Sequence, residues 1–349
     1  MTNHEQSIPL LEVQGDASMR GTLYGNRYRE RIHATWRYYL ETVFTASKLT
    51  SAQIMARAAR VRELIGDFKP EYCTEIEAIA EAAGLARWEV YALNARTEIL
   101  NAKVGECTAV YLPDSRVLGQ TWDWLEALED LMALTHYSYP SGLRILTLAE
   151  PGQLAKIGLN SAGLGVCLNF LVAPHDLEGV PVHVLIRALL ECSSLEEARA
   201  VITRAGMGKS SHFLIADANG QALSVEFEGA HSGIVDPVDG IYAHTNHCLA
   251  PNRNPAGYVI PTSPERLAAA RRGARERGGN GGNGVDALKH LLDFDDGTPA
   301  AIRVRYRPEP LLGGDHVGSC ATLVMDLPAR QMQVRKGPLP GGGFTLHQV

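Results

Sequence analysis

The hydrophobic pattern of the chain changes near residue 105. Before that point, apolar residues recur every three or four positions, which is the period of an amphipathic helix. Beyond it, short apolar runs are separated by Gly, Pro, Asn and Asp, as in strands joined by tight turns. The pattern therefore predicts a helical first part and a second part in which strands dominate.

The first part predicts four helices, over residues 24–48, 51–68, 71–85 and 88–100. Thr50 and Ser51 offer an N-cap for the second helix, and Gly84 offers a C-terminal stop for the third. The ends of these two helices are therefore better defined than the ends of the other two.

The second part predicts two antiparallel meanders. The first comprises residues 108–112, 117–124, 143–150, 154–160 and 164–172. A helical pair follows within residues 181–206, and Ser194 with Glu197 has the form of a capping box. The second meander comprises residues 211–218, 221–227 and 241–249, with Asn219-Gly220 as a hairpin turn.

The C-terminal third returns to helices before a last pair of strands. It predicts a helix over residues 263–277, a glycine-rich loop over 278–285, a helix that exits at the Asp296-Gly297 turn, and a hairpin over 320–337. Strands in two groups with helices between them predict an α+β fold of αββα type, with two stacked antiparallel sheets between helical layers.

Composition excludes several classes of partner. The chain of 349 residues is 45% hydrophobic and 21% charged, which is typical of a packed globular protein. A formal charge of -6 gives no basic surface for nucleic acid. No stretch approaches the roughly 18 apolar residues of a membrane span, and the N-terminus lacks a signal-peptide pattern. Six cysteines without a CxxC pair fit reduced thiols, so a cytoplasmic protein is expected.

Cys107 has the clearest catalytic potential, because it stands at the start of the first predicted strand. If the bond between Glu106 and Cys107 is cut, Cys107 carries both a thiol and a free α-amine. An α-amine has a pKa of roughly 7.7 to 8.0, which suits a base that works near neutral pH. Nucleophile and general base then share one residue, as amide chemistry by an N-terminal nucleophile requires.

Several short segments occur in a distinctive order around Cys107. They are EIEAIAEAAGL with ALNARTEI, ECTAVYL, GQTWDW, GLNSAGLGVCLNFL and, further along, HTNHCL. In this order they resemble the acyl-coenzyme A:isopenicillin N acyltransferase family of N-terminal-nucleophile (Ntn) hydrolases, from about Arg20 to the C-terminus. The resemblance implies the αββα Ntn-hydrolase fold, self-cleavage before Cys107, and amide hydrolysis or acyl transfer through a thioester.

The resemblance also implies how the chain is divided and what it binds. Residues 1–106 would become a helical α subunit and residues 107–349 the catalytic β subunit, which stay associated as one αββα unit. The substrate would be a small N-acyl amide or thioester. No cofactor is implied, although acyl-coenzyme A is a candidate co-substrate, and a homo-oligomer is compatible with the resemblance.

Individual residues take roles from the same resemblance. Cys107 matches the nucleophile, and Asp123 matches the aspartate that lies close to its amine. Asn246 matches the donor to the oxyanion, for which an amide suits because it donates without titrating. Asn169 is a second candidate donor. The residues expected to contact substrate are Asn169, Trp122 and Glu228.

The chain departs from the family pattern at several positions. Thr121 and Ala109 stand where the family has Asn and a hydroxyl residue. Glu228 replaces a Ser of the fungal acyltransferases, and Gly318-Ser319-Cys320 stands where they place an Arg. These differences concern the penicillin-specific pocket rather than the amide-cleaving core. An acidic Glu228 would favour a cationic amine in the substrate.

Other interpretations of the same residues remain open. Cys107 could be a buried structural thiol, and Asp123 and Asn246 could serve a turn and a neighbouring backbone group. An unprocessed thiol hydrolase would pair Cys107 with His244 or His247, and a binding protein could use the same scaffold without catalysis. Zinc at His244, His247 and Cys248 is disfavoured, because no second ligand cluster completes the set. The glycines near residue 280 lack the Lys-Ser/Thr of a phosphate loop.

Overall fold

The computed structural model describes residues 7–100, 105, 107–172, 179–206, 211–228, 231–251, 259–278, 284–340 and 342–349. Within these ranges the helices are α1 Ala17–Arg27, α2 Arg29–Tyr38, α3 Ser51–Phe68, α4 Pro70–Ala83, α5 Arg87–Asn94, α6 Arg96–Leu100, α7 Val182–Leu190, α8 Leu195–Ala205, α9 Ser263–Gly278 and α10 Gly284–Leu292. A π-helical turn, Tyr39–Phe44, continues α2. Among these helices, none combines the length and apolar character needed to cross a bilayer.

The strands of the same ranges are β1 Leu10–Gln14, β2 Thr108–Leu112, β3 Val117–Leu125, β4 Ala133–Ser138, β5 Arg144–Ala149, β6 Ile157–Asn160, β7 Leu164–Phe170, β8 Ser211–Asp217, β9 Ala222–Glu228, β10 His231–Ile234, β11 Tyr242–His244, β12 Arg307–Pro308, β13 His316–Asp326, β14 Gln331–Lys336 and β15 Thr345–Gln348. Two sheets collect them. One has the order β1-β4-β5-β6-β7-β8-β9-β10, and the other has the order β11-β2-β3-β13-β14-β15, with β12 on β13.

The two sheets stack on each other between helical layers, as the pattern of elements predicted. Strands β2 and β3 of the second sheet contact β7 and β8 of the first. Helices α7 and α8 pack on the outer face of the first sheet, and α9 and α10 pack on β2, β3, β11 and β13. Strands β2 and β3 are buried along their whole length because they lie between the other sheet and these helices.

The predicted membership of the two meanders was wrong. The hairpin β2-β3 does not continue into β5, because the missed strand β4 lies between them in the chain and pairs with β5 in the other sheet. Residues 241–249 were predicted to extend the second meander, but the strand is only β11 and it pairs with β2. Hydrophobic alternation marks a strand without stating which sheet it joins, and this explains both errors.

Two predicted helices are interrupted, each next to a residue that makes a contact far along the chain. Residues 24–48 do not form one helix: α1 begins at Ala17, with Asp16 as N-cap, and ends at Arg27. Tyr28 is the C-cap, and its hydroxyl donates to the carbonyl of Leu134 over 3.1 Å. The helix predicted over residues 88–100 breaks at Ala95. The side chain of Asn94 donates to the Gly152 carbonyl over 2.8 Å and holds the end of α5 against the loop that follows β5.

Most of the predicted caps and turns are present. Thr50 and Gln53 form a reciprocal capping box, Gly84 ends α4 in the left-handed conformation, and Gly220 makes the turn between β8 and β9. Ser194 caps α8, but the Glu197 carboxylate reaches the backbone N–H of Ser193 instead of closing the predicted box. The strands β1, β4, β10 and β15 were not predicted; β1, β10 and β15 are short strands at sheet edges, and β4 lies between β1 and β5 with polar residues at several positions.

Candidate active site

The hairpin β2-β3 brings Cys107 and Asp123 together. Cys107 immediately precedes β2, in which Thr108 pairs with Thr121 of β3. The backbone N–H of Asp123 donates a hydrogen bond to the Cys107 thiol. The thiol is buried, with 8% of the residue exposed. The nucleophile and the acid that sequence reasoning selected are therefore neighbours.

Several groups act on the ionisation of the Cys107 thiol. Burial raises its pKa, and the Asp123 carboxylate raises it further. The Asp123 N–H and the cationic side chains of Lys156 and Arg266 act in the opposite direction. The thiol is thus held neutral in the intact chain, and it needs a base before it can attack a carbonyl.

The Asp123 carboxylate is fixed from the neighbouring strand. Its Oδ1 accepts a hydrogen bond of 2.6 Å from the hydroxyl of Ser319, which lies opposite it in β13. A bulge at Cys320 shifts the register beside this pair. Ser319, noted above as a departure from the family, therefore contacts the catalytic candidate directly.

Asn246 lies two residues after the end of β11 and is completely buried. Arg266 of α9 links it to Cys107. Arg266 donates from Nη2 to Oδ1 of Asn246 over 2.9 Å and from Nη1 to the carbonyl oxygen of Cys107 over 3.0 Å. The Nδ2 of Asn246 donates to the Phe170 carbonyl over 3.0 Å. Asn246 thus presents its N–H groups away from Arg266, as a donor to an oxyanion would have to do.

Asn169 contacts the same carbonyl of Cys107. Its Nδ2 donates to that oxygen over 3.1 Å, and its Oδ1 lies 3.0 Å from Nδ1 of His212. The carbonyl belongs to the bond between Cys107 and Thr108, so these contacts do not depend on cleavage before Cys107. In the structure Asn169 orients the backbone of the nucleophile, and its predicted contact with substrate stays a prediction.

The histidines proposed as alternative bases are occupied elsewhere. His244 lies with Nε2 2.8 Å from a carboxylate oxygen of Glu226 and with Nδ1 2.7 Å from the Thr245 carbonyl. His247 lies with Nδ1 2.7 Å from the Ser263 hydroxyl, and burial lowers its pKa to about 4. These contacts give no support to an unprocessed Cys–His pair.

A pocket opens beside Cys107 and encloses about 580 Å³, including its mouth. Its walls are mainly apolar and aromatic, from Leu100, Trp122, Trp124, Leu168 and Phe170. Trp122, predicted to contact substrate, is among them. Apolar and aromatic walls with a few polar groups have the character of a small-molecule site.

A buried charge cluster forms the polar side of this pocket. Glu150, at the end of β5, accepts 2.6 Å from Arg96 Nη2, 3.1 Å from Lys156 Nζ and 2.6 Å from the Tyr39 hydroxyl. The Lys156 ammonium also lies 4.6 Å from the centre of the Trp122 ring. Burial, the largest cause, and Arg96 lower the pKa of Lys156 to about 8. Arg96 and Lys156 line the pocket, whereas Glu150 lies behind them.

Some predicted site residues lie beyond what the structure describes. Glu106 is outside the described residues, and Glu228 is placed in β9 without a described side chain. Over the described residues, no three His, Cys, Asp or Glu side chains are grouped as they would be to hold a metal ion.

Sequence reasoning missed the residues that support the site from a distance along the chain. Arg266, Lys156, Glu150 and Arg96 stand on separate elements, and no local pattern links them. Arg96 lies in the ALNARTEI segment quoted for the family resemblance. That segment was the one sequence feature that could have pointed to any of these four residues.

Comparison with known proteins agrees with this geometry. A family model described as acyl-coenzyme A:6-aminopenicillanic acid acyl-transferase matches residues 111–333, which begin just after Cys107. The 40 kDa form of acyl-coenzyme A:6-aminopenicillanic-acid-acyltransferase from Emericella nidulans is 28% identical over 333 residues, covering 90% of this chain and 92% of that protein.

Solved structures show the same fold at lower sequence similarity. A variant of conjugated bile acid hydrolase from Clostridium perfringens has a TM-score of 0.50 at 13% identity, covering 70% of this chain and 92% of that one. A second variant of the same enzyme gives the same values. The predicted αββα Ntn-hydrolase fold is confirmed.

Proposed function

Because the chain belongs to the acyl-coenzyme A:6-aminopenicillanic acid acyl-transferase family, we propose that it is a self-processing amidohydrolase or acyltransferase whose nucleophile is Cys107. Membership also confirms the prediction of an enzyme that acts on linear amide bonds, and it sets aside the non-enzymatic binding protein. The substrate we propose is a small N-acyl amide, cleaved through a thioester on Cys107.

The observation that carries the proposal is the arrangement around Cys107 in the intact chain. The thiol receives the N–H of Asp123, its carbonyl is held by Asn169 and Arg266, and an apolar pocket opens beside it. The same contacts fix the backbone from which a new α-amine would project.

The first stage is self-cleavage. The Cys107 thiol attacks the carbonyl carbon of Glu106, the C–N bond breaks, and the amine of Cys107 takes up the proton. Water then hydrolyses the resulting thioester, which frees the thiol and leaves a carboxylate on Glu106. The described part of the segment before the cut, with α1–α6 and β1, would stay associated because it contributes buried side chains to the main core.

The second stage is turnover. The free amine of Cys107 removes the thiol proton, and the thiolate attacks the substrate carbonyl. Asn246 donates to the developing oxyanion, a contribution of about 3 to 4 kcal/mol for a well-placed donor. Asp123 orients the ammonium, which returns its proton to the leaving amine. Water or an acceptor amine then resolves the thioester.

Acyl-coenzyme A is a further proposed acyl donor, because the family and the Emericella nidulans relative carry it in their descriptions. Attack on its thioester would give the same acyl-Cys107 intermediate and release the coenzyme thiol. Release of that thiol in a colorimetric assay, dependent on Cys107 and increased by an added amine, would support transfer. Thiol release that an amine does not increase would point to hydrolysis.

Denatured mass spectrometry tests the proposal directly. Wild type should give two fragments, the smaller of roughly 11.5 kDa as its share of the 37.9 kDa chain. Cys107→Ala should stay whole and inactive, whereas Cys73→Ala, which changes a cysteine of α4, should be cleaved normally. An active wild type that remains whole would remove the N-terminal amine from the mechanism.

A further inference from the structure

A buried carboxylate links the two sheets next to Asn246. It belongs to Glu226 of β9, which is completely buried. Its Oε1 lies 2.8 Å from Nε2 of His244 and accepts the backbone N–H of Leu249 over 2.6 Å, while its Oε2 accepts the backbone N–H of Ala250 over 3.0 Å. These groups lie on both sides of Asn246 in the chain, so one side chain fixes the backbone before and after it.

The carboxylate is ionised and can accept from all three groups. Burial, the largest influence, acts to raise the pKa of Glu226, but the hydrogen bonds from His244 and from the two backbone N–H groups hold that pKa below its ordinary value. A glutamine amide has only one oxygen, and its NH2 group accepts nothing. Glu226→Gln would therefore leave at least one of the three donors without an acceptor.

Helix α9 fixes Asn246 from the other side. Ser263, at the start of α9, accepts the backbone N–H of Asn246 over 2.7 Å, and Arg266 of the same helix donates to its Oδ1 over 2.9 Å. The backbone of Asn246 is thus held between Ser263 and the neighbouring groups that Glu226 binds. A shift of this backbone would move the amide relative to Cys107.

Glu226 also ends a row of buried polar side chains that crosses the first sheet. It lies opposite His212 of β8, and His212 lies opposite Asn169 of β7. The ring of His244 stacks on that of His212 with centres 3.5 Å apart, and His212 Nδ1 lies 3.0 Å from Asn169 Oδ1. Glu226 itself does not line the pocket beside Cys107, so it reaches the site only through such neighbours.

We propose that Glu226 is a positioning residue of this active site: it fixes the backbone around Asn246, so that the amide meets the oxyanion, without touching substrate itself. The inference rests on the proposed function. Placement matters because a displacement of about 1 Å can cost about a hundredfold in rate. Glu226 therefore acts on the acylation of Cys107 and not on the ionisation of its thiol.

Two reagents separate these effects at Cys107. With p-nitrophenyl acetate, the sulfur attacks the ester carbonyl, an oxyanion forms, and p-nitrophenolate leaves to give acetyl-Cys107. With iodoacetamide, the same sulfur is alkylated, iodide leaves, and no oxyanion forms. Both rates are measured near neutral pH on processed protein, with the modified peptide identified by mass spectrometry. The ratio of acylation to alkylation then reports oxyanion stabilisation separately from thiol ionisation.

Glu226→Gln and Glu75→Gln form a matched pair of variants. Glu75 of α4 is also buried, and its carboxylate also holds several donors, from Arg20 and Arg187. It does not line the pocket beside the nucleophile. Asn246→Ala removes the proposed oxyanion donor and gives the size of the full effect. Glu226→Asp keeps the charge on a shorter side chain and is the milder change.

Glu226→Gln should lower the ratio of acylation to alkylation by about tenfold to a hundredfold, and Glu226→Asp should lower it less. Glu75→Gln should leave the ratio unchanged. In the Asn246→Ala background, Glu226→Gln should lower the ratio no further, because both changes act through the same amide.

A ratio unchanged by Glu226→Gln, an equal effect of Glu75→Gln, or an undiminished effect in the Asn246→Ala background overturns the inference. Failure of both Glu226 variants to give folded, processed protein also overturns it, since Glu226 then serves the fold. A wild type whose Cys107 takes neither reagent overturns the proposed function as well. A wild type that takes both, with a ratio that Glu226→Gln does not change, overturns this inference alone.

Discussion

Arg266 donates to the side-chain oxygen of Asn246 over 2.9 Å, and this contact fixes the orientation of the amide. An amide can rotate by half a turn at little cost unless a partner distinguishes its oxygen from its nitrogen. A guanidinium accepts no hydrogen bond, so Arg266 holds Oδ1 toward itself. The Nδ2 of Asn246 therefore points away from Arg266, where one of its two N–H groups donates to the Phe170 carbonyl.

Arg266→Met should therefore lower kcat by roughly a hundredfold, as loss of an oxyanion donor does, with a smaller change in KM. The variant should also raise the pKa of the Cys107 thiol, because Arg266 is one of the cations that lower it. Alkylation of Cys107 by iodoacetamide near neutral pH would then slow. Arg272→Met, an exposed arginine of the same helix, serves as the control. Normal kcat and normal alkylation in Arg266→Met would contradict this role.

Asp123→Asn tests the charge beside the α-amine. A carboxylate close to an ammonium stabilises the charged form and raises the pKa of the amine. Its removal should lower that pKa, so the acid limb of kcat/KM should move to lower pH by about one unit or more. Activity is measured per processed molecule, quantified by mass spectrometry. Asp130→Asn, at an exposed aspartate, should not move the limb, and an unmoved limb in Asp123→Asn would argue against the assigned role.

Glu150→Gln should destabilise the fold, because it leaves Arg96 and Lys156 buried without their shared carboxylate. Loss of one partner from a buried ion pair costs about 3–5 kcal/mol. Urea unfolding in a Cys107→Ala background, where the chain stays single, measures the free energy of unfolding. Glu63→Gln removes an exposed pair with Arg60 and should change it by about 1 kcal/mol or less. Similar values for the two variants would contradict the predicted role of the cluster.

The parts of the site that sequence could predict are those carried by a local pattern. Cys107 and Asp123 lie on one hairpin, and the short turn between its strands sets the register of that hairpin. Arg266 meets Cys107 only because α9 packs across β2, a contact between residues far apart in the chain. No periodicity encodes such a meeting, so this partner was missed.

The same reasoning explains the errors in the fold. Caps and tight turns depend on neighbouring residues, and Thr50, Gly84 and Gly220 were placed correctly. Strand β1 precedes α1–α6 in the chain and β4 follows them, so no local pattern predicts their parallel pairing. Edge strands also carry little hydrophobic signal, since only part of each strand is buried. The order of strands in each sheet could therefore be determined only from the structure, whereas the αββα class was predicted from the sequence.

His212 makes the stability of the fold depend on pH. Its ring stacks 3.5 Å from that of His244, and its nitrogens face Asn169 and Ser224. Burial, followed by the neighbouring His244, holds the pKa of His212 well below its ordinary value. The unfolded chain therefore binds a proton below about pH 6.5 that the folded chain does not, and stability falls as pH decreases, by at most about 1.4 kcal/mol per pH unit for each such histidine.

In the Cys107→Ala background, urea unfolding at about pH 7 and about pH 5 should show a smaller loss of stability for His212→Gln than for its parent. His290→Gln, at an exposed histidine of α10, should keep the full loss, and an equal loss in His212→Gln would mean that His212 is already protonated in the folded protein.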